Sequence, residues 1–302
     1  MPIRNLQELP KLRDSLSYLY LEHGRLEQES KAVAFVDKNA GYTPIPASAL
    51  SVLMLGPGTT VTHAAVKALA DNGCLLLWTG EDGTRMYAQG GGETRKAYHL
   101  LRQAELAGDQ HQRLRVVRRM YEMRFLEPLD PDLTLEQVRG REGVRVREAY
   151  RQASEEFGIE WKGRRYDRNN WANSDPINRA LSQANGLLNG LCHAAIVSGG
   201  YSPALGFIHT GKQLSFVYDI ADLYKAEITI PVAFWAVSLG TQQLDKRVRQ
   251  GCREAFKSRG LLKRVLPDID RLLEISSEVL PDDAPDPDDD PAAPTPWWEP
   301  ET

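Results

Sequence analysis

Hydrophobic periodicity in this chain switches once, at Gly90-Gly91-Gly92, and that switch restricts the fold more than any single motif. Before it, apolar runs are short and β-prone: Ser15 to Leu21, Lys31 to Asp37, Leu50 to Leu55 and Cys74 to Trp78. Turn signals divide them at His23-Gly24, Asn39-Ala40-Gly41, Gly56-Pro57-Gly58 and Asp71-Asn72-Gly73. One short helix is expected among the strands, over Val61 to Ala70, with Thr59 or Thr60 placed to cap it. Glu81-Asp82-Gly83 reads as a hairpin turn into Arg85-Met86-Tyr87. After the glycines, Tyr98, Leu101, Leu106, Leu114, Val117, Met120 and Tyr121 recur at helical spacing, and Pro128 and Pro131 end that stretch. Helices follow over Thr134 to Phe157 and from Asp175-Pro176 to Val197. A loop with Gly199, Gly200, Pro203 and Gly206 comes next, then a turn at Gly211-Lys212-Gln213 before Leu214 to Tyr218. Helices resume over Asp219 to Leu266 and Asp268 to Leu280.

The fold class expected is therefore α+β. A β-rich N-terminal domain spans residues 1–90, a larger all-α domain spans 91–280, and a disordered acidic tail spans 281–302. The tail holds eight acids, seven prolines and no Lys or Arg, too little apolar surface to order itself. It also hides the charge of the rest. The whole chain is −4, yet 37 Lys and Arg stand against 33 Asp and Glu before residue 281. A mildly basic body attracts polyanions.

Several classes are excluded. No apolar run reaches the 18–20 residues or so of a spanning helix; the best, Ile228 to Leu239, contains Pro231. The N-terminal residues carry no apolar secretion signal. Cys74, Cys192 and Cys252 are odd in number, far apart and without CxxC pairing, which fits a cytoplasmic, reducing setting and no cysteine zinc site.

The residues that carry chemistry lie beyond the glycine switch. Gly56-Pro57-Gly58-Thr59-Thr60 lacks the Gly-Lys-Ser/Thr ending of a phosphate loop and reads as a turn plus cap. His209 stands between Gly206 and Gly211, and ten and thirteen residues on come Asp219 and Asp222. The pair is spaced i, i+3, so both carboxylates share a face if a helix begins there; Asp219 also has N-cap character. Imidazole with carboxylates suits Mg²⁺ or Mn²⁺ better than structural zinc. Glu142 lies between Gly140 and Gly143 in a helical stretch crowded with Arg139, Arg141, Arg145, Arg147 and Arg151. A second basic cluster holds Lys246, Arg247, Arg249, Arg253, Lys257, Arg259, Lys263 and Arg264 against Asp245 and Glu254. Basic helices around such a site suggest a phosphodiester substrate. Cys192 and His193, as helical neighbours, point apart and read as core. Trp161, Trp171 and Trp235 read as packing anchors.

Four separated blocks, HAAV (63–66), REGVRVREAY (141–150), GFIHTGK (206–212) and FVYDIADLYK (216–225), resemble the CRISPR-associated integrase, the catalytic subunit of spacer acquisition, and most its type I-E branch. The resemblance runs from about Leu9 to Leu280. It implies an N-terminal β-sandwich and a helical catalytic domain. It implies a metal site of Glu142, His209 and Asp222, with Asp219 and Tyr218 at neighbouring catalytic positions. Arg85 and Lys225 fall where the family places basic residues near DNA; Arg139, Arg141, Arg145, Arg247 and Arg249 belong to the two basic helices. His23 takes the place of an aromatic residue that stacks on a DNA base, and imidazole also has a face to stack.

The reaction implied is transesterification at double-stranded or branched DNA, a 3′-hydroxyl of a short duplex attacking a phosphodiester in a CRISPR array, with no covalent protein nucleophile. The assembly implied is a homodimer, two of which clamp a dimer of a small second CRISPR-associated protein in a heterohexameric integrase. Trp297-Trp298 gives the tail an apolar tip that could dock there. Two other readings stay open on the residues alone: a non-catalytic DNA-binding assembly subunit using only the basic helices, and a branched-DNA nuclease in repair.

Overall fold

The computed structural model describes residues 18–29, 32–37, 41–47, 50, 52–80, 86–91, 98–164 and 175–275. The tail from 281, Arg85, Trp171 and the turn at Glu81-Asp82-Gly83 lie outside these residues.

Among the described residues, eight strands make up the N-terminal part: β1 (Tyr18–Leu21), β2 (Gly24–Glu29), β3 (Ala32–Asp37), β4 (Gly41–Ile45), β5 (Val52–Leu55), β6 (Thr60–Val61), β7 (Leu75–Thr79) and β8 (Met86–Gly90). They form two four-stranded sheets, ordered β1-β5-β7-β8 and β4-β3-β2-β6. The first is parallel except for the antiparallel β7–β8 edge. Helix α1 (His63–Asp71) joins them. Leu26, Val33, Phe35 and Ile45 from one sheet meet Leu53, Leu55 and Leu76 from the other, with Ala65 and Leu69 of α1 between. The result is the expected sandwich-like unit.

Three strands escape the periodicity argument. β2 buries only Leu26 of its six residues, and β4 exposes its first four and carries Pro44, so neither shows alternation. Pro is tolerated there because β4 is an edge. β6 is two residues long and pairs with Arg25 and Leu26. That pairing holds Thr60 in the sheet, so the helix starts later than expected. Its cap is Thr62, whose side chain accepts from the Ala65 N–H, in place of Thr59 or Thr60.

The helical part contains α2 (Tyr98–Gly108), α3 (Gln110–Phe125), α4 (Leu135–Phe157), α5 (Pro176–Ser198), α6 (Ser215–Ala221), α7 (Ile230–Ser238), α8 (Leu244–Ser258) and α9 (Leu261–Leu273). The first helical stretch is split because Asp109 caps α3 through the Gln112 N–H. Thr134 and Gln137 form a reciprocal capping box that fixes the start of α4. Asp175 caps α5 with Pro176 behind it. Leu214 to Tyr218 belongs largely to α6, so Asp219 sits inside a helix and caps nothing. Between α6 and α7, Lys225–Thr229 forms a single π-helical turn. α5 is the axle of the structure. Leu181, Ala184, Leu188, Cys192 and Ala195 lie in the helical core, while Ala194 meets Val52, Leu75 and Leu77 on the outer face of the first sheet. Trp161 stacks on Tyr150 at 4.3 Å and leans on Phe234, which makes it a packing anchor as expected. Trp235 lies against Gly251, where a Cβ would stand 2.8 Å from its ring.

Candidate active site

The site begins with a charge on an apolar stripe. Val117, Met120, Tyr121 and Arg124 share the buried face of α3 at helical spacing. Arg124 is 4% exposed along its side chain. Its Nη1 stands 3.4 Å from Glu142 Oε1 on α4, and its Nη2 3.7 Å from Asp222 Oδ2 at the end of α6. One guanidinium thus spans two carboxylates 80 positions apart in sequence. Two further cations close the cluster. Arg145 grips Glu142 bidentately, at 2.8 and 2.9 Å. Lys225 Nζ lies 2.5 Å from Asp222 Oδ1. Three cations face two carboxylates, so the cluster carries a surplus of positive charge.

His209 is held by separate means. Asp219 is fully buried and accepts from the N–H groups of Phe207, Ile208 and His209 at 2.6, 3.1 and 2.9 Å. The same carboxylate stands 2.7 Å from His209 Nδ1. A carboxylate can only accept, so Nδ1 carries a proton, and in the neutral imidazole Nε2 is then the atom with the lone pair. Tyr218 closes one side of the imidazole edge-on, with ring centroids 5.9 Å apart. Asp219 and Asp222 consequently serve different partners, and the two do not act as a pair on one face. Asp219 aims His209, whereas Asp222 faces Arg124 and Lys225.

Sequence reasoning expected Glu142, His209 and Asp222 to meet at one point and left Arg124 unnamed; the structure brings Glu142 and Asp222 to Arg124 and ties His209 to Asp219. The signal for Arg124 was the cation at 124 on the 117-120-121 stripe. Among the described residues, no group of three or more His, Cys, Asp and Glu side chains stands close enough to hold a metal ion. Arg145 and Lys225 contact the carboxylate oxygens of Glu142 and Asp222. The donor set itself fits a hard divalent ion. It offers two carboxylates and an imidazole whose Nδ1 is tied to a carboxylate, the arrangement that orients histidine ligands.

Neutral, buried groups surround the cluster. Burial, with Asp222 adding to it and Arg164 opposing, holds the Tyr150 phenol above its ordinary pKa. Burial raises the Cys192 thiol far more. Cys74, Cys192 and Cys252 are all free and buried, so none offers an accessible thiolate. Neither glycine beside Glu142 is demanded by packing: a Cβ at Gly140 would meet nothing, and one at Gly143 only Arg147 at 3.5 Å.

The two basic clusters separate into bound and open residues. Arg139, Arg141 and Arg147 on α4 are exposed and, among the described residues, form no ion pair. Arg247, expected to bind DNA, donates to the carbonyls of Ala236 and Gly240 and so ties α8 to the end of α7. Arg249 is half-buried on α8 and has a partner. Arg259 and Arg264 both pair with Glu227. His23 is exposed in a left-handed turn (φ 57°), its Nδ1 against Gly58, where a Cβ would come within 2.6 Å. The Gly56-Pro57-Gly58 segment is a turn accepting the His23 N–H through Pro57 O.

The family model for CRISPR associated protein Cas1 matches residues 18–128 and 122–257. The chain belongs to the Cas1 family. The CRISPR-associated endonuclease Cas1 2 of Thermus thermophilus is 53% identical over 296 residues, covering 98% of this chain and 90% of that protein. The Cas1 endonuclease of Escherichia coli K12 is 43% identical over 276 residues, covering 90% of each. Among solved structures, a TtCas1–DNA complex superposes with a TM-score of 0.76 at 54% identity, over 88% of this chain and 99% of that one. TM1797, a Cas1 protein from Thermotoga maritima, shares the fold at a TM-score of 0.62 and 18% identity, over 86% and 98% of the two chains. The strand-rich N-terminal part and larger helical part are those of the Cas1 fold. Among the described residues no helix is long and apolar enough to cross a membrane.

Proposed function

We propose that this Cas1 chain is a metal-dependent DNA endonuclease and integrase of CRISPR adaptation, of the type I-E kind. The observation that carries the reading is the meeting of Glu142 and Asp222 on buried Arg124. Glu142, His209 through Nε2, and Asp222 would hold Mg²⁺ or Mn²⁺. When bound, such an ion would supply Lewis-acid polarisation of a phosphodiester. Asp219 keeps the Nε2 lone pair outward. Arg145 and Lys225, 27% and 31% exposed, release the carboxylates and turn to the incoming phosphates. Arg139, Arg141 and Arg147 extend the phosphate-binding surface along α4. A 3′-hydroxyl of the incoming duplex attacks the phosphorus of the array strand. One P–O bond forms and one breaks; the attacking hydroxyl gives up its proton, and the departing 3′-oxygen takes one up to leave as a 3′-hydroxyl.

Inserting a duplex needs two such joints, so the functional unit pairs two active sites, as a homodimer does. Two dimers with a dimer of the small second CRISPR-associated protein would make the heterohexameric integrase. The DNA-bound TtCas1 relative supports the substrate class. The test is strand transfer of a short duplex into supercoiled array DNA by the purified protein with its small partner. His209→Ala should abolish transfer while the melting curve stays in place. Retained transfer in that variant removes His209 from the chemistry.

A further inference from the structure

The loop from Gly199 to His209 is also gripped by side chains of α2 and α3. Gln103 on α2 is fully buried and spends its whole amide on this loop. Its Nε2 donates to Ser202 O at 3.0 Å and Leu205 O at 2.9 Å, and its Oε1 accepts the Ser202 N–H at 2.8 Å. His99, one turn earlier on α2, stacks on Tyr201 at 4.6 Å and contacts Gly199 O through Nδ1. Arg113, in the first turn of α3, sends both Nε and Nη2 to Phe207 O, at 2.9 and 2.8 Å. The peptide units before His209 are therefore held twice, their N–H groups by Asp219 and a carbonyl by Arg113. Gly206 completes the fold-back, since a Cβ there would lie 2.2 Å from His209 O.

We infer that Arg113 and Gln103 are positioning residues for His209: α2 and the start of α3 form a clamp that fixes where the imidazole Nε2 points. The inference rests on the metal-site reading for its consequence, though not for its geometry. A hydrogen bond from a charged donor to a carbonyl is among the stronger ones in a protein, and two converge on Phe207. Removing them frees the loop on one side while leaving the helical core untouched. Outer partners that aim a histidine ligand change metal affinity about 10- to 100-fold when lost.

The experiment compares Arg113→Met with wild type in two readouts. Amide exchange by NMR in metal-free protein should quicken about tenfold or more at Ile208 and His209, with the amides of α8 unchanged. Mn²⁺ titration followed by EPR should show affinity weakened about tenfold. Arg113→Lys, whose ammonium can still reach the carbonyl, should recover most of both effects. Unchanged exchange at Ile208 and His209 overturns the clamp. Unchanged Mn²⁺ affinity in a variant whose loop has loosened overturns its role toward His209. A wild-type protein that binds no Mn²⁺ removes the metal reading, and exchange alone then decides the clamp. Should Arg113→Met fail to fold, Arg113→Gln, with one donor left for Phe207 O, is read in the same two ways.

Discussion

Replacing Arg124 by Met tests the centre of the site. The guanidinium is almost wholly buried, 3.4 Å from Glu142 and 3.7 Å from Asp222. A unit charge pair near 4 Å attracts by about 4 kcal/mol at an effective dielectric of 20, and desolvation cancels much of that. Removing one partner of a buried pair typically costs 3–5 kcal/mol, roughly, because the other charge is stranded. Here the stranding is partial. Glu142 keeps Arg145, and Asp222 keeps Lys225. Met also fills most of the vacated volume beside Val117, Met120 and Tyr121. The expected loss is about 2 kcal/mol, which for a body of this size lowers Tm by about 4–8 °C. Calorimetry in EDTA at pH 7 measures it. Adding Glu142→Gln should then cost less than it does alone, because one stranded charge has gone. A Tm equal to wild type, or strictly additive losses in the double variant, would refute the view that Arg124 couples the two carboxylates.

Two further outcomes follow from the charges. His193 is buried, its Nε2 has no hydrogen-bond partner, and burial lowers its pKa to about 4. The unfolded chain takes up that proton near 6.5 and the folded one only near 4, so stability should fall with pH across that window, by up to about 3 kcal/mol. Urea unfolding at pH 7 and pH 4.5 should show a smaller difference in His193→Leu; equal differences would mean that His193 is not the group titrating. DNA affinity measured by anisotropy should fall steeply with salt, and the triple change Arg139→Gln, Arg141→Gln, Arg147→Gln should reduce the log–log slope by about 2–3. A slope that survives the triple change would move the phosphate contacts off α4.

What the sequence displayed was whatever repeats. The apolar strands β3, β5 and β7 and the amphipathic helices announced themselves through periodicity. β2 and β4 did not, because one face of each is solvent and the other buries a single side chain apiece, Leu26 and Ile45. The position of Asp219 was misjudged for a similar reason. An aspartate after an apolar run looks like a cap, yet here its partners are backbone groups of a loop ten residues earlier. Glu142 and Asp222 stood out by residue type and by likeness to a family. Arg124, Gln103 and Arg113 did not, since their meaning depends on which carbonyl or carboxylate the fold brings to them.

The π-helical turn at Lys225–Thr229 acts as a phase shifter. One residue more than an α-helical turn needs has been fitted into it, which rotates everything downstream by about 100°. Upstream of the extra residue, the chain presents Asp222 and Lys225 to the charged cluster. Downstream, Ile230, Ala233 and Phe234 enter the core. Thr229 pins the widened turn by donating to Asn185 on α5. A continuous helix would force a choice between aiming Lys225 and burying Phe234. Deleting a single residue here would restore an ordinary helix and, by that very regularity, swing one of the two faces out of register.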